Sequence, residues 1–390
     1  MSPVRRAAFG TAVFNVLLLL VVLTPARAAQ RVDGSVVPSA ARISSRGAAG
    51  TSLDPMSSSF LTPSQGWVLG TLGCPTCVAL ATTSDGGKTW AELPRPPVTA
   101  NWPSPNSGSV SQVSFADRDD GFLYGPGLYV SHDGGKEWSR TTLTDVVSVS
   151  SGAGVAYALT STPSAVWRDV VGSNTWSRVT LPTAPEVRAD TPNTYQLSLS
   201  GSVLLLLLEG FSGQQPGADL GALWMSTSGG RSWVARPLPC KSGDGGAALS
   251  GIALDHPNEW FVDCFDNEQS SQEQNTQHHL YESTNSGAVW ERLSDPSTHG
   301  EPALLAANGS GDAVLTVEDG FGGLLSATSD GGREWRTRLS LGGNFSGFAG
   351  LEYVNSSTAF VIGPTHYVPG HLYRSDDGGK TWRVVVIALV

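Results

Sequence analysis

The chain has 390 residues, with 34 acidic against 24 basic side chains and a formal net charge of −10. An acidic balance with scattered bases excludes a nucleic-acid or anionic-membrane binder held by charge. Beyond the N-terminus no segment approaches the ~18 apolar residues that a membrane-spanning helix needs.

Residues 1–28 read as a secretory signal. Arg5 and Arg6 supply the charged start, Ala12 to Leu23 the apolar stretch, and Ala26-Arg27-Ala28 a small-x-small cleavage site. The mature chain then carries 21 bases against 34 acids, because the signal removes three arginines and no acid, for a net charge of −13. The expected location is secreted or extracytoplasmic, with an uncleaved N-terminal anchor as the alternative. Residues 29–55 are rich in Ser, Ala, Gly and Arg and read as a flexible leader. Residues 56–390 read as one domain.

That domain is organised by a repeat. Thr83-Ser84-Asp85-Gly86-Gly87-Lys88-Thr89-Trp90 recurs with small changes at Ser131 to Trp138, Ser226 to Trp233, Ser283 to Trp290, Thr328 to Trp335 and Ser375 to Trp382. A decayed copy ends at Trp176. The seven tryptophans are 48, 38, 57, 57, 45 and 47 residues apart, a period that signals a propeller blade or a solenoid unit. Asp85, Asp133, Asp330 and Asp377 can accept hydrogen bonds from amides of their own turns. Ser228 and Asn285 replace the carboxylate and accept more weakly, so their turns should be looser. Trp90, Trp138, Trp233, Trp290, Trp335 and Trp382 each bring an apolar face over the turn.

Between boxes lie short runs rich in β-branched and aromatic residues, such as Gly66-Trp67-Val68-Leu69-Gly70, Gly121-Phe122-Leu123-Tyr124 and Ala359-Phe360-Val361-Ile362-Gly363. No sustained helical period appears, and Leu204 to Leu208 suits a fully buried strand. Three strands before each box and one after make four per repeat. The fold expected is all-β, a seven-bladed β-propeller of four-stranded antiparallel blades.

The boxes resemble the Asp-box, or bacterial neuraminidase, repeats, over about residues 57–390. The resemblance implies that each box is the turn between the third and fourth strands of a blade. Similar boxes occur in sialidases, xyloglucan-cleaving hydrolases, the luminal domain of sortilin and the photosystem II stability/assembly factor family. The pairing of Gly66-Trp67 with the box ending at Trp90 is most similar to the last of these.

Four cysteines in an exported chain allow three disulfide pairings. Cys74 and Cys77 share one loop, and Cys240 follows the fourth box with Cys264 in the next blade, so Cys74–Cys77 and Cys240–Cys264 are expected. A redox or metal-binding reading of Cys74-Pro75-Thr76-Cys77 is the alternative.

Catalytic signals are thin. A sialidase of the resembling kind needs three converging arginines, and Arg42-Ile43-Ser44 lacks the proline of its Arg-Ile-Pro motif. Asp117, Asp119, Asp120, Glu318 and Asp319 are acids of turns and loops, and a glycosidase needs two carboxyls roughly 5–9.5 Å apart. His278-His279 and the pair His366 and His371 lack metal-ligand spacing and read as surface histidines. No cofactor is expected.

In a propeller the box turns share one face with the first-to-second-strand turns. The opposite face carries the unusual segments 94–110, 210–221, 265–279 and 363–371. Long connections of this kind are commonly functional. Trp102, Asp266, His366, Tyr367 and His371 are the candidate contacts there. The function expected is a non-enzymatic binding or assembly scaffold for a protein or glycan partner, as a monomer. The alternative is a sialidase-like glycoside hydrolase using loop carboxylates. Ring closure is expected without strand exchange, the chain ending in a fourth strand over Arg383 to Val390 unless residues 35–43 add a strand.

Overall fold

The computed structural model describes residues 52–100, 108–161, 164–183, 194–209, 221–240, 246–252, 256–265, 277–318, 322–342, 347–363 and 370–389. Every element among them is a strand. Blade 1 holds β1 (Asp54–Phe60), β2 (Gly66–Thr71), β3 (Val78–Thr83) and β4 (Ala91–Glu92). Blade 2 holds β5 (Gln112–Phe115), β6 (Asp120–Tyr124), β7 (Gly127–His132) and β8 (Ser139–Thr144). Blade 3 holds β9 (Val146–Gly152), β10 (Val155–Ser161), β11 (Ser164–Val170) and β12 (Ser177–Arg178). Blade 4 holds β13 (Thr194–Ser200), β14 (Val203–Glu209), β15 (Gly221–Ser226) and β16 (Val234–Arg236). Blade 5 holds β17 (Gly246–Ile252), β18 (Trp260–Phe265), β19 (His278–Ser283) and β20 (Glu291–Arg292). Blade 6 holds β21 (Glu301–Ala307), β22 (Ala313–Glu318), β23 (Gly322–Thr328) and β24 (Arg336–Gly342). Blade 7 holds β25 (Ala349–Tyr353), β26 (Ala359–Gly363), β27 (His371–Ser375) and β28 (Arg383–Val385).

Each blade is an antiparallel sheet cut from one continuous stretch, its strands in sequence order. The first strands β1, β5, β9, β13, β17, β21 and β25 each touch the next, and β25 touches β1. The protein is therefore a closed seven-bladed β-propeller.

Its core lies between blades. Val68, Ala79 and Ala81 of blade 1 pack with Phe360, Ile362 and Leu372 of blade 7, and Leu69 and Leu80 pack with Val113 and Leu123 of blade 2. A middle strand covered by a neighbouring blade on each face has no solvent side, so it reads as an apolar run rather than an alternation. Leu204 to Leu208 in β14 are all fully buried. Outer strands such as β4, β12 and β20 are two residues long and exposed. Short outer edges limit edge-to-edge pairing.

Aromatic rings couple the blades. Phe60 stacks on Phe360 at 3.6 Å and Phe115 stacks on Trp67 at 3.8 Å. Phe60 and Phe115 also meet Trp90 and Trp138 edge-on. The glycine before Trp67 is explained by this packing, because a Cβ on Gly66 would lie 2.2 Å from the Phe60 ring.

The closure departs from expectation at the C-terminus. β28 ends at Val385, and the chain then leaves blade 7 for blade 1. Leu53 N–H donates to Ile387 O at 3.3 Å, Ser52 bridges Ala388, and Leu389 bridges Trp90. The apolar tail side chain Ile387 is 3 % exposed in the seam, and its burial there removes more apolar surface from water than continuation along an exposed outer strand would. Residues 35–43 lie outside the described residues.

Candidate functional site

The side-chain bonds of the Asp-bearing box turns are made within each box. Thr83 Oγ1 accepts from Gly87 N at 2.9 Å and donates to Asp85 Oδ1 at 2.9 Å. Asp85 Oδ1 then accepts from Lys88 N and Thr89 N, each at 3.0 Å, while Oδ2 accepts from the Thr89 hydroxyl at 2.7 Å. Asp133 and Asp330 repeat the pair of amide bonds, and Asp377 accepts from Thr381 N at 2.8 Å. These donors hold the Asp85 carboxyl down at about 2, the Thr89 hydroxyl first among them. Ser228 accepts one turn amide, from Ser232, and Asn285 one, from Val289. In the decayed copy the strand-end position is Asp169, whose longer side chain accepts from Thr175 N at 2.8 Å and from the Ser173 hydroxyl.

The first strands leave amides on their inner edges, and neighbouring blades satisfy them. Ser57 Oγ and Ser59 Oγ of β1 accept from Val113 N (3.1 Å) and Phe115 N (2.9 Å) of β5. At the closing seam the acceptor is Glu352 of β25. Its Oε2 accepts from Phe60 N at 3.4 Å and its Oε1 from the Ser58 hydroxyl at 3.3 Å. Burial pushes the Glu352 carboxyl up to about 8 against the lowering pull of those two bonds. Tyr124 of β6 is pushed up to about 12, by burial first and in smaller part by the Glu352 charge.

On the loop face the seam of blades 7 and 1 brings Asp54 to the start of β27. Asp54 Oδ1 accepts from Gly370 N at 2.6 Å, and burial raises its carboxyl while that amide and His371 oppose the rise. His371 is exposed and its ring meets Tyr373 edge-on at 6.3 Å. Next to β1, the 72–77 turn carries the Cys74–Cys77 disulfide, and Cys77 bridges Thr99 of the long connection from blade 1 to blade 2. The other pair expected from the sequence, Cys240–Cys264, is also formed.

Of the five candidate contacts, the structure places His371 on this face beside Asp54. Trp102, Asp266, His366 and Tyr367 lie outside the described residues, as do Arg42 and Asp319. Asp117, Asp119 and Asp120 sit on the box face, where Asp117 caps the amides of Asp119 and Asp120 at 2.9 and 2.8 Å and Asp120 bonds His132. Glu282, raised by burial first and then by Glu259 and Glu291, also belongs to the box side of its blade.

One expectation fails outright. His278 is not a surface histidine but 1 % exposed. Its Nδ1 lies 2.7 Å from Asp263 Oδ2 and its Nε2 2.9 Å from Gly300 O, so both ring nitrogens face oxygen acceptors. In the sequence the only sign of Asp263, Asp54 and Glu352 is that each is an acid inside or beside an apolar strand.

No family model and no curated relative matches the chain. Solved structures do. YCF48 bound to a D1 peptide matches with a TM-score of 0.53 at 18 % identity, over 83 % of this chain and 94 % of that one. Ulvan lyase of polysaccharide lyase family 25, bound to -[GlcA(1-4)Rha3S]-, matches with 0.54 at 10 % identity, over 87 % and 96 %. The propeller domain of the trilobed protease from Pyrococcus furiosus, described as having an open velcro topology, matches with 0.56 at 6 % identity, over 87 % and 97 %. These likenesses establish the propeller. They span binding and catalytic proteins, so the fold alone does not select between those functions.

Proposed function

We propose that this chain is an exported, non-catalytic binding or assembly scaffold, a monomeric propeller that holds an extended segment of a protein partner on its loop face near blades 7, 1 and 2. One observation carries the reading: the box face spends its repeated carboxylates on its own turns. The opposite face carries the long connections, and partner contacts of scaffolds are commonly made by such loops on a rigid frame. The resemblance of the boxes to those of the photosystem II stability/assembly factor family, and the fold likeness to YCF48 bound to a peptide, support a peptide ligand over a glycan. Trp102, Asp266, His366, Tyr367 and His371 are its proposed contacts.

The test is an array of peptides from exported host proteins, probed with the mature chain. The Trp102→Ala/Tyr367→Ala double variant should lose capture at least about tenfold, as removal of aromatic anchors does, while Lys136→Ala on the box face leaves it unchanged. Capture that survives the double variant rejects the assignment. Turnover of a fluorogenic glycoside, abolished by one carboxylate substitution, replaces the scaffold by the glycosidase reading.

A further inference from the structure

The two disulfides are placed very differently. Cys264 is fully buried, and with Cys240 it packs against Val262, Tyr281, Leu238 and Trp290 between blades 4 and 5. Cys74 and Cys77 are partly exposed, and Pro75 and Thr76 between them are exposed. A thiol reagent reaches the second pair without opening the core, and accessible disulfides are the ones that exchange. The chain separation is 3 residues for Cys74–Cys77 and 24 for Cys240–Cys264. The shorter loop removes less entropy from the unfolded chain, so the exposed pair contributes less to global stability.

The surroundings of the exposed pair also suit reversible chemistry. The Thr76 hydroxyl lies 3.7 Å from Cys74 Sγ, within reach to donate to a thiolate there. Leu72 N donates to Cys77 O at 2.9 Å and Cys77 N to Cys74 O at 3.1 Å. These backbone bonds limit how far the turn opens once the S–S bond is broken, so the two thiols stay near enough for reoxidation.

The geometry points to Cys74–Cys77 as a reversible thiol–disulfide exchange site whose oxidised form holds the connection between blades 1 and 2 in place. A thiolate of a dithiol reductant attacks Cys77 Sγ. The Cys74–Cys77 bond breaks with its electron pair on Cys74 Sγ, beside Thr76, and a mixed disulfide forms. The second thiolate of the reductant attacks its own partner sulfur, Cys77 leaves as a thiolate, and the reductant departs as a disulfide. Two electrons pass to the protein, and the two thiolates take up two protons as their pKa values require. The mechanical link runs from the turn to the connection: Cys77 bridges Thr99, Ala100 N donates to Thr76 O at 3.4 Å, and Val110 N donates to Thr99 O at 2.9 Å. Loosening the turn therefore loosens the connection at Thr99, Ala100 and Val110. The inference stands whether or not the loop face binds a partner.

The experiment treats the folded, oxidised mature chain with graded dithiothreitol, traps thiols by alkylation and reads them by mass spectrometry, with hydrogen exchange on the same samples. Cys74 and Cys77 should alkylate at dithiothreitol concentrations at least about tenfold below those that open Cys240–Cys264. Thr76→Val should slow their reduction several-fold. Amides of Ala100 and Val110 should exchange several-fold faster after reduction, while those of β2 and β3 keep their protection. Removal of the reductant and addition of oxidised dithiothreitol should restore both readouts. Simultaneous reduction of both pairs, unchanged exchange at Ala100 and Val110, or loss of protection throughout blade 1 would each overturn the proposal.

Discussion

Glu352 of the last blade accepts a hydrogen bond from the Phe60 amide of the first, across 292 residues of chain. It serves β1 as Ser57 and Ser59 serve β5, but with a carboxyl where the other seam uses hydroxyls. Folding raises this carboxyl from 4.5 to about 8, so the folded state keeps a proton that the unfolded chain releases across that window. Stability is therefore complete below the window and falls as pH rises through it, by at most ~1.4 kcal/mol per pH unit. Glu352→Gln keeps an acceptor for Phe60 and cannot ionise. Its melting temperature relative to wild type should rise steadily from pH 5 to pH 8, which calorimetry checks; a constant difference would remove Glu352 as the titrating group.

On the box face the same seam is tied by Arg374. Its guanidinium donates to Pro63 O at 2.7 Å and Gly86 O at 3.0 Å, and lies 5.3 Å from the centre of the Phe360 ring. Arg374→Ala leaves two carbonyls without these donors and should cost about 1–3 kcal/mol in chemical denaturation. Arg374→Lys should recover only part of that, because one ammonium does not reproduce the planar fork.

The tail gives a third test of closure. Ile387 is buried between blades 7 and 1, and Ile387→Ala should cost about 2–4 kcal/mol, as truncation of a buried isoleucine does. Val386→Ala, at a side chain 67 % exposed, should be nearly neutral. Equal effects from the two would show that the tail is not part of the seam.

Gly66 and Gly342 separate packing from backbone preference. A Cβ at Gly66 meets the Phe60 ring at 2.2 Å, whereas one at Gly342 meets nothing within 4 Å. Gly66→Ala should therefore destabilise by about 1–3 kcal/mol through the displaced ring, with Gly342→Ala within about 0.5 kcal/mol of wild type. Urea titrations of the two variants decide the point.

The repeated turns should rank by the bonds they make. Asp377 accepts from the Thr381 amide and, through its second oxygen, from the Thr381 hydroxyl, where Ser228 accepts a single turn amide. Asp377→Ala should lower the melting temperature by roughly 1–3 °C, and Ser228→Ala by less; thermal scans of the two variants make the comparison. Burial acts to raise the Asp377 carboxyl, but the Thr381 hydroxyl and amide, with Ser375, together outweigh it and hold the folded group low. The Asp377 contribution is therefore present above the ordinary carboxylate range and lost in acid, as pH falls through the folded value.

Much of this architecture is legible from residue order. The spacing of Trp90, Trp138, Trp176, Trp233, Trp290, Trp335 and Trp382 counts the blades, and the Gly-aromatic runs locate second strands. The Cys74–Cys77 pair follows from a shared loop, and Cys240–Cys264 from Cys240 after the fourth box and Cys264 in the next blade. The candidate site is less legible. Among its five contacts only His371 falls in described residues, and nothing local marks Asp54 or Glu352 as neighbours of the closing seam. His278 and His279 look alike in sequence, whereas β19 turns the first inward to Asp263 and the second to the opposite face of its sheet.

The division follows the range of the interactions. The side-chain bonds of the Asp-bearing box turns join atoms within eight residues of one another, so that chemistry, and through its period the fold, was determined by the sequence alone. The Phe60–Phe360 stack, the Glu352–Phe60 bond and the Leu53–Ile387 bridge join opposite ends of the chain. Their partners meet only after seven similar wedges have packed into a ring, and so the tertiary structure alone decided which groups share a seam.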